Sequence, residues 1–285
     1  MTDHRPRNWL ITGVSTGFGR AFAREALSRG DRVAGTLRRV DQIAAFEALA
    51  PGRAFGFLAD VTDGDAVAAA VDGAVAAMGG IDVLVNNAGY GHLGGIEEAT
   101  DAEARRQMDV NLFGLLEVTR RVLPHMRAAR RGHVFNISSV GGVVAFPGVG
   151  IYNASKFAVE AVGKALASEV APHGIKVTNI EPGAFRTDWA GRSARVSDGL
   201  DAYAETAGAR ASSITGDLDG TQPGDPARAA ILLADVALSD DAPLRLPFGE
   251  DAVDAIRAKL TAQLAELDAW EARARDLEFA QDAAQ

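Results

Sequence analysis

Short runs of β-branched and apolar residues alternate with longer, alanine-rich amphipathic runs through the first 180 residues of the chain. Apolar residues recur with a period of two in strands and about 3.6 in helices, so this alternation indicates strands that take turns with helices. When helices connect successive strands, the strands lie parallel and the helices cover both faces of the sheet. The sequence therefore predicts an α/β fold built on a doubly wound parallel sheet.

The same pattern predicts the individual elements and the domain organisation. The predicted strands are Trp9–Thr12, Arg32–Leu37, Ala54–Leu58, Val83–Asn86, His133–Ser138 and Lys176–Glu181. The predicted helices are Phe18–Ser28, Asp63–Met78, Asp101–Leu123, Tyr152–Ala171 and Pro226–Leu238. Weak periodicity predicts an irregular segment over residues 186–226, and apolar residues at helical spacing predict a C-terminal helix over residues 251–277. A chain of 285 residues with this pattern is expected to form a single domain, 1–285.

Charge and cysteine content exclude several classes of function. The net charge is −9, so no overall positive field attracts nucleic acid or an anionic membrane. The chain has no cysteine, which excludes disulfides, thiolate metal sites and cysteine nucleophiles. No apolar run is long enough for a membrane span, and the N-terminal residues lack a signal-peptide cleavage site. We therefore expect a cytoplasmic protein without a bound metal.

The first predicted strand leads into a glycine-rich loop, Thr12-Gly13-x-x-x-Gly17-x-Gly19. Such a loop between strand and helix binds phosphate, because its glycines permit a tight turn and close approach of the backbone to the ligand. Ser15 also completes the G-x-S-x-G pattern of hydrolase nucleophiles, but almost no chain precedes it to supply an oxyanion hole. The loop therefore favours a nucleotide site, with these predicted contacts: Gly13, Ser15, Thr16, Gly17, Phe18 and Gly19.

The end of the second predicted strand indicates which nucleotide the loop binds. NAD-binding units carry an acidic residue there that holds the ribose 2′-hydroxyl. This chain has Leu37 followed by Arg38 and Arg39, and a guanidinium pairs well with a 2′-phosphate. These residues favour NADP (NADPH) over NAD, although Asp41 is close enough in sequence to keep NAD as an alternative. The residues predicted beside the adenine, after the third strand, are Asp60 and Val61.

A tyrosine and a lysine on one predicted helix carry the reaction chemistry. Tyr152 and Lys156 are four residues apart and so share a helix face. A nearby ammonium stabilises a phenolate, which lowers a phenol pKa from its usual value near 10. Such a phenol exchanges a proton with an alcohol or a carbonyl, and a serine hydroxyl beside it can hold the same oxygen. By itself, the pair also fits an ordinary solvated helix face.

Taken in order, these motifs resemble those of the short-chain dehydrogenase/reductase family, of the compact single-domain kind. The likeness runs from about Trp9 to Asp188, and the thirteen-residue spacing to Tyr152 selects Ser139 over Ser138. Some segments resemble the hydroxysteroid-dehydrogenase-like branch, although Phe18 stands where the family more often has Ile or Leu. The matching motifs after the glycine loop are Asn86-Asn87-Ala88-Gly89, Asn111 in "DVNLFG", Ser139, Tyr152-x-x-x-Lys156 and Pro182-Gly183-x-x-x-Thr187.

The resemblance implies a Rossmann-type fold and a role for each matching residue. Tyr152 would be the general acid in reduction and the base in oxidation, and Lys156 would bind the nicotinamide ribose and lower the Tyr152 pKa. Ser139 would orient the substrate oxygen, and Asn111 would hold a water that relays protons. The remaining residues implied to bind cofactor are Asn87, Ala88 and Gly89 on the adenosine side, and Pro182, Gly183 and Thr187 near the nicotinamide amide.

The implied activity is an NADP(H)-dependent oxidoreductase that interconverts a ketone or aldehyde and an alcohol on a hydrophobic small molecule. A nicotinamide-nucleotide sensor with little turnover is the alternative, which the complete set of catalytic residues disfavours. The resemblance also implies a homodimer or homotetramer formed by helices 101–123 and 152–171, which the C-terminal helix could modify or block. The residues predicted to contact substrate are Val143, Phe146, Phe185 and Trp189, together with Tyr90, His92, Val144 and Tyr203.

Overall fold

The structure, a computed structural model, describes residues 5–191 and 193–277. The strands are β1 (Asn8–Ile11), β2 (Arg32–Leu37), β3 (Ala54–Leu58), β4 (Val83–Asn86), β5 (His92–Leu93), β6 (Gly132–Ile137), β7 (Ile175–Pro182), β8 (Arg195–Val196) and β9 (Arg245–Phe248). The helices are α1 (Gly17–Ser28), α2 (Ile43–Glu47), α3 (Gly64–Met78), α4 (Asp101–Met108), α5 (Gly114–Ala129), α6 (Gly150–Val170), α7 (Ala209–Ser212), α8 (Pro226–Leu238) and α9 (Glu250–Arg275). No helix in these two ranges is long and apolar enough to cross a membrane.

The central sheet has seven parallel strands in the order β3-β2-β1-β4-β6-β7-β9. Residues alternate between its two faces, so Trp9 and Ile11 of β1 pack with α1 and α8, whereas Leu10 packs with α3 and α5. The predicted doubly wound Rossmann-type sheet is confirmed. β1 lies between β2 and β4, so the chain leaves β1 toward one edge of the sheet and later returns to its other side. Ligands bind at such a switch point, beyond the carboxyl ends of the strands.

The six predicted strands are present with boundaries shifted by at most one residue, but the sequence pattern missed β9. This strand has four residues, including Arg245 and Pro247, so it lacks the long β-branched run that marks a buried strand. β9 is the edge strand next to β7, which is where a sheet tolerates proline. The two-residue strands β5 and β8, which pair with each other, were also missed because they are too short to show a period.

The predicted helix Asp101–Leu123 is wrong as a single element. α4 ends at Met108, a π-helical turn covers Asp109–Phe113, and α5 continues past Pro124 to Ala129. Proline disfavours the middle of a helix, but Val122 and Met126 on either side of it are fully buried, and their packing keeps α5 intact. The described part of segment 186–226 contains β8, α7 and two further π-helical turns.

Candidate active site

The glycine loop joins β1 to α1 in a conformation that requires its glycines. Gly13 and Gly17 have φ angles of +73° and +54°, a region that other residues rarely adopt. Gly19 is needed for a different reason. A Cβ at Gly19 would lie 2.3 Å from the Gly13 carbonyl oxygen and 2.5 Å from the Asn87 amide nitrogen. The loop is therefore folded tightly against the start of α1.

The N-terminus of α1 has room for an anion. The side chain of Thr16 does not cap the helix, and the first turn contains no acidic residue. By contrast, α3 is capped by the Asp63 carboxylate and α4 by Thr100 with Glu103. An uncapped helix N-terminus presents free N–H groups and a partial positive charge. Together with the two left-handed glycines, this end of α1 fits the phosphates of a nucleotide.

The segment after β4 holds the glycine loop in place. Thr12 Oγ1 accepts hydrogen bonds from the backbone N–H groups of Asn87 and Ala88, both at 2.9 Å. In return, Asn87 Nδ2 donates to the carbonyls of Thr12 and Gly13 at 2.8 and 3.1 Å. Two of the predicted cofactor-binding motifs are therefore one hydrogen-bonded unit. The sequence identified Thr12 as part of the loop motif but did not reveal this bracing role.

Two adjacent guanidinium groups at the end of β2 differ in their contacts with the described residues. Arg39 is paired through two nitrogens with both carboxylate oxygens of Asp41, at 3.0 and 2.6 Å. Arg38 is exposed and has no hydrogen bond or ion pair to any described residue, and its charge acts on Asp60. Burial would raise the pKa of Asp60, but hydrogen bonds from Thr62 hold it below its usual value. Leu37 is buried at the end of β2, and Val61 is buried three residues after the end of the neighbouring strand β3.

The π-helical turn places the Asn111 side chain inside the protein. Its amide oxygen accepts a hydrogen bond from the Tyr90 backbone N–H, and its amide nitrogen donates to the Tyr90 carbonyl and to Ser155 Oγ, each at 3.1 Å. Gln107 also donates to the Tyr90 carbonyl. A Cβ on Gly89 would lie 3.1 Å from the Asn111 oxygen and 3.7 Å from Lys156 Nζ. Asn111 and Lys156 thus approach the same glycine from two helices.

Tyr152 and Ser139 lie together at the carboxyl end of β6. Both are buried, and the Ser139 hydroxyl is close enough to the Tyr152 phenol to lower its pKa. Ser139 Oγ also accepts a hydrogen bond from the Gly141 N–H at 2.9 Å, which fixes its rotamer. The neighbouring Ser138 hydroxyl is buried without a partner among the described residues. Of the two serines, the structure brings only Ser139 to the tyrosine.

Lys156 follows Tyr152 by one turn of α6 and is also buried. Its Nζ donates to the Ile137 carbonyl at 2.8 Å and lies 5.8 Å from the centre of the Tyr152 ring. Burial lowers the pKa of Lys156 to about 8, while the Glu160 carboxylate opposes that shift. The lysine is therefore still mostly protonated at neutral pH.

The pKa of Tyr152 departs from the sequence prediction. Burial raises it to about 12, and the Ser139 hydroxyl only partly offsets this shift. The sequence pattern predicted a lowered pKa because Lys156 is near. In the structure, however, the Lys156 ammonium is engaged by the Ile137 carbonyl, and the loss of water around the phenolate dominates.

A row of buried asparagines supports the active-site helix from below, and the sequence analysis assigned it no role. Asn86, Asn136 and Asn179 lie in register on β4, β6 and β7. Asn86 Nδ2 donates a hydrogen bond to Asn136 Oδ1, and Asn136 Nδ2 donates one to Asn179 Oδ1, both at 3.0 Å. Asn179 Nδ2 in turn donates a hydrogen bond to the buried Glu160 carboxylate, again at 3.0 Å. Glu160 is one helical turn after Lys156, so the hydrogen bonds of this row hold α6 against the sheet. In the sequence, the only sign of this row is that three of the predicted strands each contain an asparagine.

The predicted substrate residues divide into separate groups. The Trp189 ring lies 5.2 Å from the Tyr152 ring, and Phe146 packs in the same cluster. Val143 and Val144 are partly exposed just after Gly142. Phe185 instead packs on Phe18 and Phe248, with ring centres 5.1 and 6.3 Å apart, and belongs to the core beside α1.

The other predicted substrate residues, apart from Tyr90, have structural partners. His92 is buried and its Nε2 lies 2.9 Å from Ser197 Oγ, which ties β5 to the segment after β8. Tyr203 donates its hydroxyl to Glu97 at 2.5 Å on the surface. These two contacts hold the segment that follows β8 against residues 92–97.

The segment after β7 closes the other side of the glycine loop. Pro182 ends β7, and the Gly183 N–H donates to the Phe248 carbonyl at 2.9 Å. A Cβ on Gly17 would lie 3.4 Å from Thr187 Cβ, so the threonine predicted at the nicotinamide end contacts the loop itself. All the predicted motifs therefore meet at the carboxyl edge of the sheet.

Comparison with known proteins agrees with this arrangement. Residues 7–196 match the family model for short chain dehydrogenase. Oxidoreductase BOA17 of Botryotinia fuckeliana is 39% identical over 86% of this chain and 90% of that protein. The 3-ketodihydrosphingosine reductase of Bacteroides thetaiotaomicron is 44% identical over 64% of this chain and 65% of its own length. The NADPH-dependent 3-dehydrocapnine reductase of Ornithobacterium rhinotracheale is 36% identical over 65% of this chain and 67% of its own length.

Solved structures show the same likeness. The crystal structure of a short-chain dehydrogenase from Streptomyces avermitilis is 42% identical and superposes with a TM-score of 0.90. The match covers 97% of this chain and 100% of that one. The motifs, the sheet topology and the sequence matches lead to one conclusion: the chain is an oxidoreductase of the short-chain dehydrogenase family.

Proposed function

We propose that the chain is an NADPH-dependent reductase that interconverts a hydrophobic ketone or aldehyde and the corresponding alcohol, with Tyr152 as the general acid and base. One observation carries this proposal. The buried Tyr152 phenol lies beside the Ser139 hydroxyl, which acts on its pKa, lies against the Trp189 ring, and shares a helix face with Lys156. A phenol in this setting can transfer a proton to an oxygen that the serine also holds.

The protonation states of the site suit the reductive direction. When bound, a nicotinamide nucleotide supplies the hydride, and the protein supplies binding, orientation and the proton. The raised pKa keeps Tyr152 protonated at neutral pH, so the phenol can donate to a carbonyl oxygen as the alcohol forms. Ser139 orients that oxygen, and Lys156 would bind the ribose hydroxyls through its ammonium. Asn111, held by Tyr90 and Ser155, would carry the proton supply through a water.

The residues around the glycine loop fit a nucleotide with a 2′-phosphate. The Arg38 guanidinium has no partner in the described part of the chain and can pair with a phosphate, whereas both oxygens of Asp41 are engaged by Arg39. Asp41 is thus a weak candidate for holding a ribose hydroxyl. A relative named as NADPH-dependent supports the same preference. The substrate side of Tyr152 is formed by Trp189 and Phe146, which favours an apolar carbonyl compound.

Replacement of the proton donor tests the proposal. In Tyr152→Phe, we expect kcat for NADPH-dependent ketone reduction to fall about 10²–10⁴-fold, the usual contribution of general acid catalysis. NADPH affinity, measured by cofactor fluorescence, should stay within about threefold because the ring is retained. Retention of most of the activity would rule out Tyr152 as the donor.

The two adjacent serines provide a matched pair. Ser139→Ala should lower kcat strongly, whereas Ser138→Ala should have little effect because its hydroxyl has no partner among the described residues. Equal losses in both variants would contradict the assignment. A nucleotide sensor would bind NADPH but reduce no compound in a panel of ketones and aldehydes, so turnover separates the two functions.

A further inference from the structure

Within the part of the chain that the structure describes, the buried residues of the C-terminal helix α9 lie in its first two turns. Ala252 and Ile256 are buried, but every residue from Leu260 to Leu277 is exposed. The exposed part includes large apolar side chains: Leu264 is 59% exposed, Leu267 61% and Trp270 56%. At 1.5 Å per residue, this part of α9 extends roughly 25 Å beyond its last buried contact.

The apolar residues of α9 follow a seven-residue repeat. Val253, Leu260 and Leu267 are spaced by seven, and Leu264 lies four residues after Leu260 and three before Leu267, while Arg257 and Glu271 lie seven residues to either side of Leu264. Over residues 260–267 this alternating spacing produces an apolar stripe of the kind that packs against another helix in a coiled coil. In proteins, most of the stability of a helix comes from the packing of its apolar face. The stripe therefore indicates a helical partner.

The charges of α9 select the partner and its direction. Arg257 and Lys259 form a basic turn, and residues 266–271 contain Glu266, Asp268 and Glu271. If a second α9 ran antiparallel and crossed near Leu264, the basic turn of each helix would face the acidic segment of the other. Arg273 at the basic end would likewise face Glu250 and Asp254 at the acidic start, whereas Asp251 accepts a hydrogen bond from the Ala184 N–H and Arg275 pairs with Glu271 of its own helix.

A parallel pair of the same helices would place like charges side by side. The basic turn would meet a basic turn, and the acidic segment an acidic segment, which is unfavourable. An antiparallel pair also obeys a two-fold axis, so the two copies use the same surface and the assembly closes. The helix is thus complementary to itself in one direction only.

We infer that α9 is an oligomerisation arm that pairs antiparallel with α9 of a second copy of this chain. Leu260, Leu264, Leu267 and Trp270 form the apolar contact, and the charged segments fix the direction. This contact is independent of the reaction at Tyr152.

Disruption of the apolar stripe tests the contact. In the full chain, Leu264→Glu/Leu267→Glu should halve the molar mass measured by light scattering after size exclusion. The control, Ala258→Glu/Ala265→Glu, adds the same charge on exposed positions away from the stripe and should keep the wild-type mass. An unchanged mass in the stripe variant, or a monomeric wild type, would overturn the inference. Ketone reduction by both variants shows whether they are folded.

Cysteine crosslinking tests the direction, because the chain has no native cysteine. In an antiparallel pair, Leu264→Cys places two thiols near the crossing point, so mild oxidation should give a covalent dimer. Ala274→Cys places its thiols roughly 30 Å apart, at opposite ends of the pair, and should give none. Crosslinking of both variants would show a parallel pair, and crosslinking of neither would show that α9 does not pair with itself.

Discussion

Arg38 and Arg39 are adjacent in sequence, but their side chains have different surroundings in the folded chain. The sequence places two arginines directly after Leu37, the position where an NAD-binding chain has an acid, but it does not reveal which arginine is available. The structure makes the distinction, because Arg39 is paired with Asp41 whereas Arg38 has no such pair among the described residues.

This difference leads to a prediction about cofactor preference. Arg38→Ala should weaken NADPH binding by roughly 1–3 kcal/mol relative to NADH, the scale of a charge-assisted hydrogen bond. Arg39→Ala is the matched control and should change the ratio of the two affinities much less. Both ratios are measured by titration of cofactor fluorescence. Equal affinities for NADPH and NADH in the unmodified chain would refute the assignment to NADP.

Residue identity was predictable where a motif fixes it, and residue environment was not. Asn111, Ser139, Tyr152 and Lys156 come together as the motif spacing predicts. The pKa of Tyr152 was predicted in the wrong direction, since burial is a property of the folded chain that spacing does not contain. For the same reason Phe185, an aromatic next to a motif, packs in the core rather than beside the tyrosine.

At the scale of elements, the junction between the glycine loop and α1 has a strict steric requirement. In Gly19→Ala, the new methyl group would overlap the Gly13 carbonyl and the Asn87 amide. We expect the loop to shift, NADPH affinity to fall at least about tenfold, and the free energy of unfolding to fall by about 1–3 kcal/mol. Fluorescence titration and denaturant unfolding measure the two effects.

Gly216→Ala is the control for this substitution. Its Cβ would meet no atom within 4 Å, so both cofactor affinity and stability should be nearly unchanged. If Gly19→Ala behaved like Gly216→Ala, the tight contact between α1 and Asn87 would not matter for cofactor binding.

Elements with a long, regular period were predictable from sequence, and those set by tertiary contacts were not. The strand β2 was predicted to the residue because residues 33–37 form an unbroken buried run in which only Thr36 is polar. The edge strand β9 was missed because it is recruited by hydrogen bonds to β7 rather than by its own pattern. The π-helical turn at Asp109–Phe113 was missed because it depends on the inward bonds of Asn111.

At the scale of the whole molecule, a buried histidine makes stability depend on pH. His133 lies in the core of the sheet with Nε2 2.9 Å from Thr178 Oγ1. Thr178 donates its own proton to the Pro243 carbonyl, so Nε2 carries the hydrogen and Nδ1 has no partner among the described residues. Burial, followed by the charges of Lys176 and Arg7, lowers the pKa of His133 to about 3.

The sign of this effect follows from the two pKa values. In the unfolded chain the pKa of histidine is about 6.5. Between pH 6.5 and 3 the unfolded state therefore binds a proton that the folded state does not, and unfolding becomes easier as the pH falls. The stabilisation is complete above pH 6.5 and decreases toward pH 3.

His133→Gln should remove this dependence. We expect the free energy of unfolding to fall less steeply between pH 6 and 4, by up to about 1.4 kcal/mol per pH unit, whatever its value at pH 7. Urea unfolding at several pH values measures the slope, and His125→Gln serves as the control for loss of a partly exposed histidine. The same slope in the wild type and His133→Gln would show that His133 is protonated alike in both states.

The π-helical turn before α5 also has a consequence for how chains of this kind can change in length. The turn contains one residue more than an α-helix would use, so a deletion of one residue would restore a regular helix. An α-helix turns by about 100° per residue, but the wider π-helical turn accommodates one extra residue locally, so the residues after the deletion would keep their places. Val118, Val122 and Met126 would stay against the sheet, whereas Asn111 would lose the turn that directs its side chain toward Tyr90 and Ser155. A chain shortened by one residue between positions 109 and 113 would therefore keep its core and lose the placement of an active-site residue.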